Sequence, residues 1–312
     1  MMIKNKSLTE AVHSEREKRR AALTSVLAAV GLTLFKVVAG VATGSLGILA
    51  EAAHSGLDLV AALVTYLAVR ISGKPADQEH LYGHGKVENL SAFFETLLLL
   101  VTCVWIIHEA FDRLFVKTVV VDASMAAFAV MVVSIVVDVN RSRMLYRAAK
   151  QHHSQALEAD ALHFHTDIWS SVVVLIGLFC VKVGEWFPKM VFLQKADAIA
   201  ALGVALIVIY VSLRLAMRTI SALLDAAPRG MLDRVTALIR LQPGVIDCHK
   251  VRVRHSGPSL FIDAHVLVDG NQSLRAAHDL TEAIEIAIRK EVQNVDVTVH
   301  AEPYLDPILR EG

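Results

Sequence analysis

Two copies of one spacing, His-x3-Asp, occur inside long apolar segments: His54 with Asp58, and His163 with Asp167. A separation of four residues places both side chains of a pair on one face of a helix, about one turn apart. Neutral imidazole and ionised carboxylate are ligands that suit Zn²⁺ and neighbouring transition metals. The two pairs together supply four ligands for one tetrahedral ion, and they predict a metal site in the apolar part of the protein.

The cost of placing these residues at membrane depth also indicates function. An ionisable side chain there costs about 2.5–3.5 kcal/mol on insertion scales. The two segments match one turn further back, where Glu51 precedes His54 and Asp160 precedes His163. We expect Glu51 and Asp160 to flank the site and to be candidates for relaying ions or protons, and His165 to lie on another face. The alternative is that the paired residues line a pore or join helices by hydrogen bonds without a metal.

A second cluster lies in a polar loop, Asp77-Gln-Glu-His80-Leu-Tyr-Gly-His84-Gly-Lys86. One carboxylate and two imidazoles fall within eight residues, and the glycines allow the tight turns that bring them together. The loop therefore predicts a second metal site at Asp77, His80 and His84. The alternative is a loop at the membrane surface whose histidines are incidental.

A third cluster is spread over the last quarter of the chain. His249, His265 and His300 fall on predicted strands, and Glu302 follows His300 by two residues, which places both on one face of a strand. His278 lies on a predicted helix. Four histidines and one acid in a small domain predict a ligand set for one or more ions, with unrelated surface histidines as the alternative.

Long apolar segments must position these residues. The chain has 312 residues, is 54% apolar and has a mean hydropathy of +0.50, whereas soluble domains are about 45–50% apolar. Because about 20 apolar residues cross a bilayer, the pattern predicts an all-α bundle of six membrane helices at 22–42, 48–70, 90–112, 119–139, 158–183 and 197–219. Asp138, near the end of the fourth span, is expected to be a solvated helix end.

The pattern changes after residue 225, where prolines appear and charged residues alternate with Val and Ile. The order helix–strand–strand–helix–strand predicts a small αββαβ domain, a ferredoxin-like and metallochaperone-like α+β sandwich with its helices on one sheet face. The elements are expected at 229–242, 245–254, 259–268, 273–291 and 295–300. We therefore predict an N-terminal arm at 1–21, a six-span membrane domain at 22–225 and a small soluble, metal-binding domain at 226–312.

The placement of Lys and Arg predicts that both termini are cytoplasmic, because basic residues gather in the N-terminal arm, in the even-numbered connections and after the sixth span. About twenty polar residues precede the first span, so it is not expected to be a cleavable signal peptide. Zero net charge gives no support for nucleic-acid binding. The three cysteines form no CxxC pair, so neither a disulfide framework nor a thiolate zinc site is indicated.

An intramembrane metalloprotease is the enzymatic alternative. His108-Glu109 begins like His-Glu-x-x-His, but Asp112 occupies the position that needs the second histidine. We therefore expect the protein not to be an enzyme.

Taken together, the chain resembles the cation diffusion facilitator family of divalent-metal transporters in its bacterial form. The resemblance covers six spans, a Ser-Leu-x-Ile-Leu-Ala run into the second span, the Tyr-Gly-His-Gly-Lys loop and the C-terminal domain. It implies a homodimer in the inner (plasma) membrane that exports metal from the cytoplasm against proton entry by alternating access. It also implies three metal sites. The first is a transport site, here called the transport quartet, formed by His54, Asp58, His163 and Asp167. The second and third are a loop cluster of Asp77, His80 and His84, and a C-terminal cluster of His249, His265, His278, His300 and Glu302, with Glu302 where a related member has Asp.

One departure bears on the metal. Some bacterial members carry Asp-x3-Asp on the second span, whereas the first ligand here is His54. In the family this pattern accompanies a preference for zinc, and imidazole fits that direction. We expect Zn²⁺ as the substrate and as a structural or regulatory ion. A passive zinc channel and a membrane-anchored metal sensor remain alternative functions.

Overall fold

The computed structural model describes residues 2–115, 125–186 and 196–304. The chain divides into two compact units, Met1–Thr219 and Ile220–Gly312. Within these described ranges, six long helices come first, and a small three-stranded sheet with two further helices follows. This order confirms the predicted fold class.

The six long helices follow the six predicted spans. Their bounds are α1 Met2–Thr43, α2 Leu46–Ser72, α3 Lys86–Phe115, α4 Met125–His152, α5 Gln155–Trp186 and α6 Ala196–Leu223. Residues 119–124, where the fourth span was expected to begin, lie outside the described residues. Four stretches of the described residues are long and apolar enough to cross a membrane: Val12–Thr43, Glu51–Ser72, Lys86–Asp112 and Leu202–Leu223.

The connection from α1 to α2 shows how local sequence sets these bounds. Gly44 adopts a φ of 65°, which a residue without Cβ tolerates best, and it ends α1. Ser45 then caps α2, where its hydroxyl accepts a hydrogen bond from the Ile48 amide at 3.4 Å. Because the connection is so short, α1 and α2 pack as an antiparallel pair.

Small and apolar side chains bring four helices together. Ala22 of α1, Val69 of α2, Leu145 of α4, and Leu157 and Phe164 of α5 are almost completely buried in one cluster. On α5 the cluster includes Phe164, which directly follows His163, and on α2 it includes Val69, about three turns beyond Asp58. It therefore fixes the packing of the helices that carry the two His-x3-Asp pairs.

The expectation that Asp138 is a solvated helix end is wrong. Asp138 is buried, and its carboxylate lies 3.3 Å from Nη1 of Arg141 one turn along α4. Arg141 also donates to the hydroxyl of Ser25 on α1 at 3.1 Å and stacks over the Phe164 ring at 3.6 Å. Asp138 lies in the middle of α4, where neighbouring helices cover it, so the two charges are paired in the interior rather than hydrated.

The C-terminal unit consists of α7 Met231–Arg240, β1 Asp247–Ser256, β2 Ser259–Asp269, α8 Leu274–Glu291 and β3 Val295–Tyr304. The strands lie in the order β1-β2-β3, with β1 antiparallel and β3 parallel to β2. The turn between β1 and β2 falls at Ser256-Gly257-Pro258 as predicted, and Gly257 has a φ of 57°.

Both helices pack on one face of this sheet. Alternate residues of β2 are buried, including Ile262 and Val266, and they form a core with Val235 of α7 and with Ile284 and Ile288 of α8. The remaining residues of β2 point to the opposite face. The unit is the predicted two-layer α+β sandwich.

Candidate metal sites

The two His-x3-Asp pairs converge between α2 and α5. Nε2 of His163 lies 3.2 Å from Oδ1 of Asp58 and 3.6 Å from Oδ2 of Asp167. Nε2 of His54 lies 3.9 Å from a carboxylate oxygen of each aspartate. The ligand atoms of His54, Asp58 and Asp167 all lie within 4.8 Å of one another. Each imidazole thus faces carboxylates from both helices, and His163 joins this group of three through its distances to the two aspartates.

Three members of this transport quartet are shielded from solvent. The side chains of Asp58, His163 and Asp167 are 12%, 8% and 16% exposed, whereas that of His54 is 43% exposed. Two carboxylates this close in a water-poor interior repel each other. A divalent cation or protons on the imidazoles would relieve that repulsion.

The two flanking acids have different surroundings. Glu51 is half exposed and lies 3.2 Å from Nζ of Lys36, which also donates to the Ser55 hydroxyl at 2.8 Å. Asp160 is completely buried and accepts a hydrogen bond from Ser25 at 3.3 Å. Their predicted relay role is untested, but only Asp160 lies inside the helix bundle.

The predicted loop residues also come together. Oδ1 of Asp77 lies 3.2 Å from Nδ1 of His80, and Oδ2 lies 3.2 Å from Nε2 of His84. The two imidazole rings are 4.5 Å apart. Gly83, with a φ of 76°, makes the turn between the histidines and donates its N–H to the carbonyl of His80 at 2.9 Å.

The backbone holds the loop carboxylate in place. The amides of Glu79 and His80 donate to Oδ1 of Asp77 at 3.0 and 2.7 Å. The bond from His80 is the main reason that the pKa of Asp77 lies below its ordinary value. An ionised, fixed carboxylate between two imidazoles can hold a divalent cation.

Strand register assembles the C-terminal cluster. His249 on β1 pairs with His265 on β2, and His265 pairs with His300 on β3. Glu302 reaches across them: its carboxylate lies 3.1 Å from Nε2 of His249, 2.6 Å from Nδ1 of His265 and 3.9 Å from Nε2 of His300. The hydrogen bond with His265 lowers the pKa of Glu302, so this acid is ionised at neutral pH.

Three predicted ligands, His163, His278 and His300, fall outside the groups of potential metal ligands found among the described residues, but His163 and His300 each lie within 3.9 Å of a carboxylate of such a group. The three groups of potential ligands within the described ranges are the loop cluster, the set His249, His265 and Glu302, and the set His54, Asp58 and Asp167. His278 lies on α8, where its carbonyl accepts from the Thr281 hydroxyl at 2.8 Å. Its predicted role as a ligand remains a prediction.

Sequence reasoning missed a buried ion pair at the start of α3. Lys18 and Glu88 are both completely buried, with Nζ and Oε1 2.8 Å apart. Glu88 also accepts hydrogen bonds from Ser72 of α2 and from Ser154, the residue before α5, so it connects the ends of these helices. Lys18 belongs to a run of basic residues that resembles a solvated arm, and only the packing of α1 against α2 and α4 distinguishes it.

Comparison with known families identifies the chain. The profile of the cation efflux transmembrane domain matches residues 22–224, and the profile of the cytoplasmic domain of cation efflux proteins matches residues 227–304. The chain belongs to the cation diffusion facilitator family. The resemblance predicted from the motifs is thereby confirmed.

Curated relatives of this cation diffusion facilitator cover almost its full length. An uncharacterized transporter of Synechocystis is 33% identical over 94% of this chain and 92% of its own. The cation-efflux pump FieF of Salmonella arizonae is 32% identical over 91% of this chain and 92% of its own. A solved structure of CzrB in its zinc form is 26% identical, covers 25% of this chain and 91% of its own, and has a TM-score of 0.24.

Family membership defines the activity in general terms. The protein is a multi-pass membrane transporter for cation efflux, and its family is one of transporters rather than enzymes. The C-terminal sheet unit is the cytoplasmic domain of this family.

Proposed function

We propose that the protein exports Zn²⁺ from the cytoplasm in exchange for protons, by alternating access, and that His54, Asp58, His163 and Asp167 bind the exported ion. The observation that carries this proposal is the convergence of two imidazoles and two carboxylates from α2 and α5, with pair distances of 3.2 to 3.9 Å. Two nitrogen and two oxygen ligands form a set that Zn²⁺ accepts in tetrahedral geometry.

Protons and zinc compete for these four side chains. Zinc binds neutral imidazole and ionised carboxylate, so loading of the site releases protons. Near-neutral pH in the cytoplasm favours zinc capture. When the site opens outward, protons bind His54, His163 and the two aspartates, and zinc leaves. The competition couples efflux of zinc to entry of protons.

The low exposure of the quartet favours a carrier over a passive channel. In an open pore all four side chains would face water, whereas Asp58, His163 and Asp167 are nearly buried. Ligands inside the membrane unit likewise favour transport over a membrane-anchored sensor, which needs ligands only in its cytoplasmic domain. The preference for zinc rests on the two imidazoles, because softer nitrogen ligands favour Zn²⁺ over Mn²⁺.

The remaining features fit the same function. The loop cluster and the C-terminal cluster would hold zinc ions that order the protein or sense metal. We propose that the chain forms a homodimer in the inner membrane, with both termini in the cytoplasm. The proposed transport and cytoplasmic domains are residues 22–225 and 226–312, and residues 1–21 form the N-terminal arm.

Uptake into proteoliposomes tests the antiport. With equal total Zn²⁺ on both sides, an imposed pH gradient should drive net zinc movement toward the acidic side and proton movement in the opposite direction. Zinc that only equilibrates along its own gradient would indicate a channel. No zinc movement, together with zinc binding by the purified protein, would indicate a sensor.

A further inference from the structure

A buried acid lies outside the four proposed metal ligands. Glu95 on α3 is 1% exposed, and its Oε2 has no hydrogen-bond partner. Its other oxygen accepts a hydrogen bond from the hydroxyl of Thr65 on α2. Glu95 belongs to none of the three groups of potential metal ligands found among the described residues.

Among the described residues, no ion pair balances the charge of Glu95. Thr65 faces it from α2. Ala92, one turn before Glu95 on α3, packs with Ala159 of α5 and Leu215 of α6 in an apolar cluster. Asp160 follows Ala159, so α5 brings a second acid towards Glu95 rather than a cation, and the two carboxyl groups repel each other. An ionised carboxylate with one hydroxyl partner and an acid for a neighbour is strongly disfavoured in an interior without water.

Asp160 has a cation in its hydrogen-bond network, and Glu95 has none among the described residues. Oδ2 of Asp160 accepts a hydrogen bond from the Ser25 hydroxyl at 3.3 Å, and that hydroxyl accepts one from the Arg141 guanidinium at 3.1 Å. Oδ1 of Asp160, like Oε2 of Glu95, has no hydrogen-bond partner among the described residues. Two acids that repel each other retain a proton between them. Because the guanidinium lies on the side of Asp160, the proton resides on Glu95.

We propose that Glu95 and Asp160 form a proton-binding pair, separate from the metal ligands, that binds and releases a proton during each transport cycle. This proposal rests on the proposed antiport. Helix α3, which carries Glu95, packs against α2 and α5, which also carry Asp58 and His163. Rearrangement of α2 against α5 on metal release therefore alters the burial of Glu95 and its hold on the proton. The reaction at Glu95 is the conversion of carboxylate and proton to carboxylic acid.

Infrared spectroscopy of the purified full-length protein tests the proton directly. At neutral pH, the wild type should show the C=O stretch of a buried neutral carboxylic acid, and Glu95→Gln should lose it. Glu282→Gln is the matched control, because Glu282 is an exposed acid on α8. A band that is absent from the wild type or retained in Glu95→Gln would overturn the proton-binding pair, whatever the transport result.

Reversal measurements in proteoliposomes test the coupling. The pH gradient that just balances a zinc gradient gives the proton-to-zinc ratio, and Glu95→Gln should lower it by about one proton per ion, with no change in Glu282→Gln. An unchanged ratio in Glu95→Gln would overturn the coupling. A wild type without pH-driven zinc movement would refute the antiport itself, and the infrared band would then decide the proton-binding pair alone.

Thr65→Val provides a second variant if Glu95→Gln does not fold. It removes the hydroxyl that donates to Glu95 and keeps a similar shape. Loss of this donor should shift the infrared band and favour the protonated acid to higher pH. A band with unchanged position and pH dependence would contradict the assignment to Glu95.

Discussion

The transport quartet and the C-terminal cluster use the same ligand types in opposite settings. The quartet joins two helices inside the membrane unit, and three of its members are nearly buried. The C-terminal cluster lies on the open face of a sheet, where the side chains of His249, His265 and Glu302 are 37%, 22% and 29% exposed. Water can replace a metal at the sheet, but it has little access to the quartet. The quartet therefore depends on exchange of one cation for another, whereas the C-terminal cluster is suited to simple binding.

Removal of a carboxylate from the quartet should reduce zinc flux more than any substitution in the C-terminal cluster. Asp58→Ala leaves Asp167 as the only carboxylate among the four proposed ligands. Loss of a residue that only hydrogen-bonds to a metal ligand costs about 10–100-fold in metal affinity or activity. Because Asp58 is itself a proposed ligand, zinc flux in proteoliposomes should fall by at least that factor.

His165→Ala is the matched control for this loss. His165 is an exposed histidine on α5, two residues from His163, and its ring lies 6.2 Å from that of Trp169. The zinc flux of the His165→Ala variant should equal that of the wild type. Wild-type flux in Asp58→Ala would refute the quartet as the transport site.

A substitution that keeps four ligands should change which metal is carried. His54→Asp replaces an imidazole by a carboxylate, which suits Mn²⁺ better than Zn²⁺. We expect the ratio of Zn²⁺ to Mn²⁺ flux to fall by about tenfold. The ratio should stay constant in a His265→Asp variant, where the same exchange is made on the sheet. An unchanged ratio in His54→Asp would show that selectivity arises elsewhere.

Loss of Glu302 should weaken zinc binding by the C-terminal cluster about tenfold and leave the ion-to-proton coupling of transport intact. Calorimetric titration of full-length Glu302→Gln with zinc would show the lower affinity of the C-terminal cluster. Glu282→Gln is the control, because it makes the same chemical change on the exposed face of α8. Equal zinc affinity in Glu302→Gln and the control would remove Glu302 from the ligand set.

The same acid predicts a pH dependence of the metal-free sheet. The pKa of Glu302 is lowered in the folded protein, chiefly by its bond with His265. Its contribution to stability is therefore present above the ordinary carboxyl pKa and is lost as pH falls through the lowered value. Hydrogen exchange of β2 and β3 should be slower in the wild type than in Glu302→Gln at neutral pH and equal in strong acid. A difference that grows in acid would contradict this sign.

Substitutions in the loop cluster are expected to have the smallest effect on zinc binding and transport. Asp77 both fixes the turn, through the amides of Glu79 and His80, and faces two histidines. An amide oxygen can accept the same backbone bonds, so Asp77→Asn should keep the turn, whereas Asp77→Ala should not. If the Asp77 carboxylate is a metal ligand, Asp77→Asn and Asp77→Ala should lose zinc at the loop about equally. Full binding in Asp77→Asn would show that the turn alone is needed.

The two regions also differ in how far their sequences predict them. Residues four apart on a helix lie on the same face, so the sequence alone predicts that His54 lies beside Asp58 and His163 beside Asp167. The C-terminal cluster depends on register, which is shifted between His249 and Arg252. Such an irregularity comes from long-range pairing and leaves little local signal.

Buried charges were the least predictable feature. Lys18 and Asp138 occur in stretches that are typical of solvated helix ends, yet packing against other helices buries both. Glu95 has neighbours in the sequence that resemble those of any lipid-facing position. Its burial depends on Thr65, thirty residues earlier in the chain.

Anomalous X-ray scattering at the zinc edge from crystals of the full-length protein would locate the bound ions. We expect a zinc peak between α2 and α5, about 2.0–2.2 Å from nitrogen or oxygen atoms of His54, Asp58, His163 and Asp167. The peak should be absent in Asp58→Ala, while the peak at the C-terminal cluster remains. Zinc at the C-terminal cluster with none between α2 and α5 in the wild type would refute the quartet as the transport site.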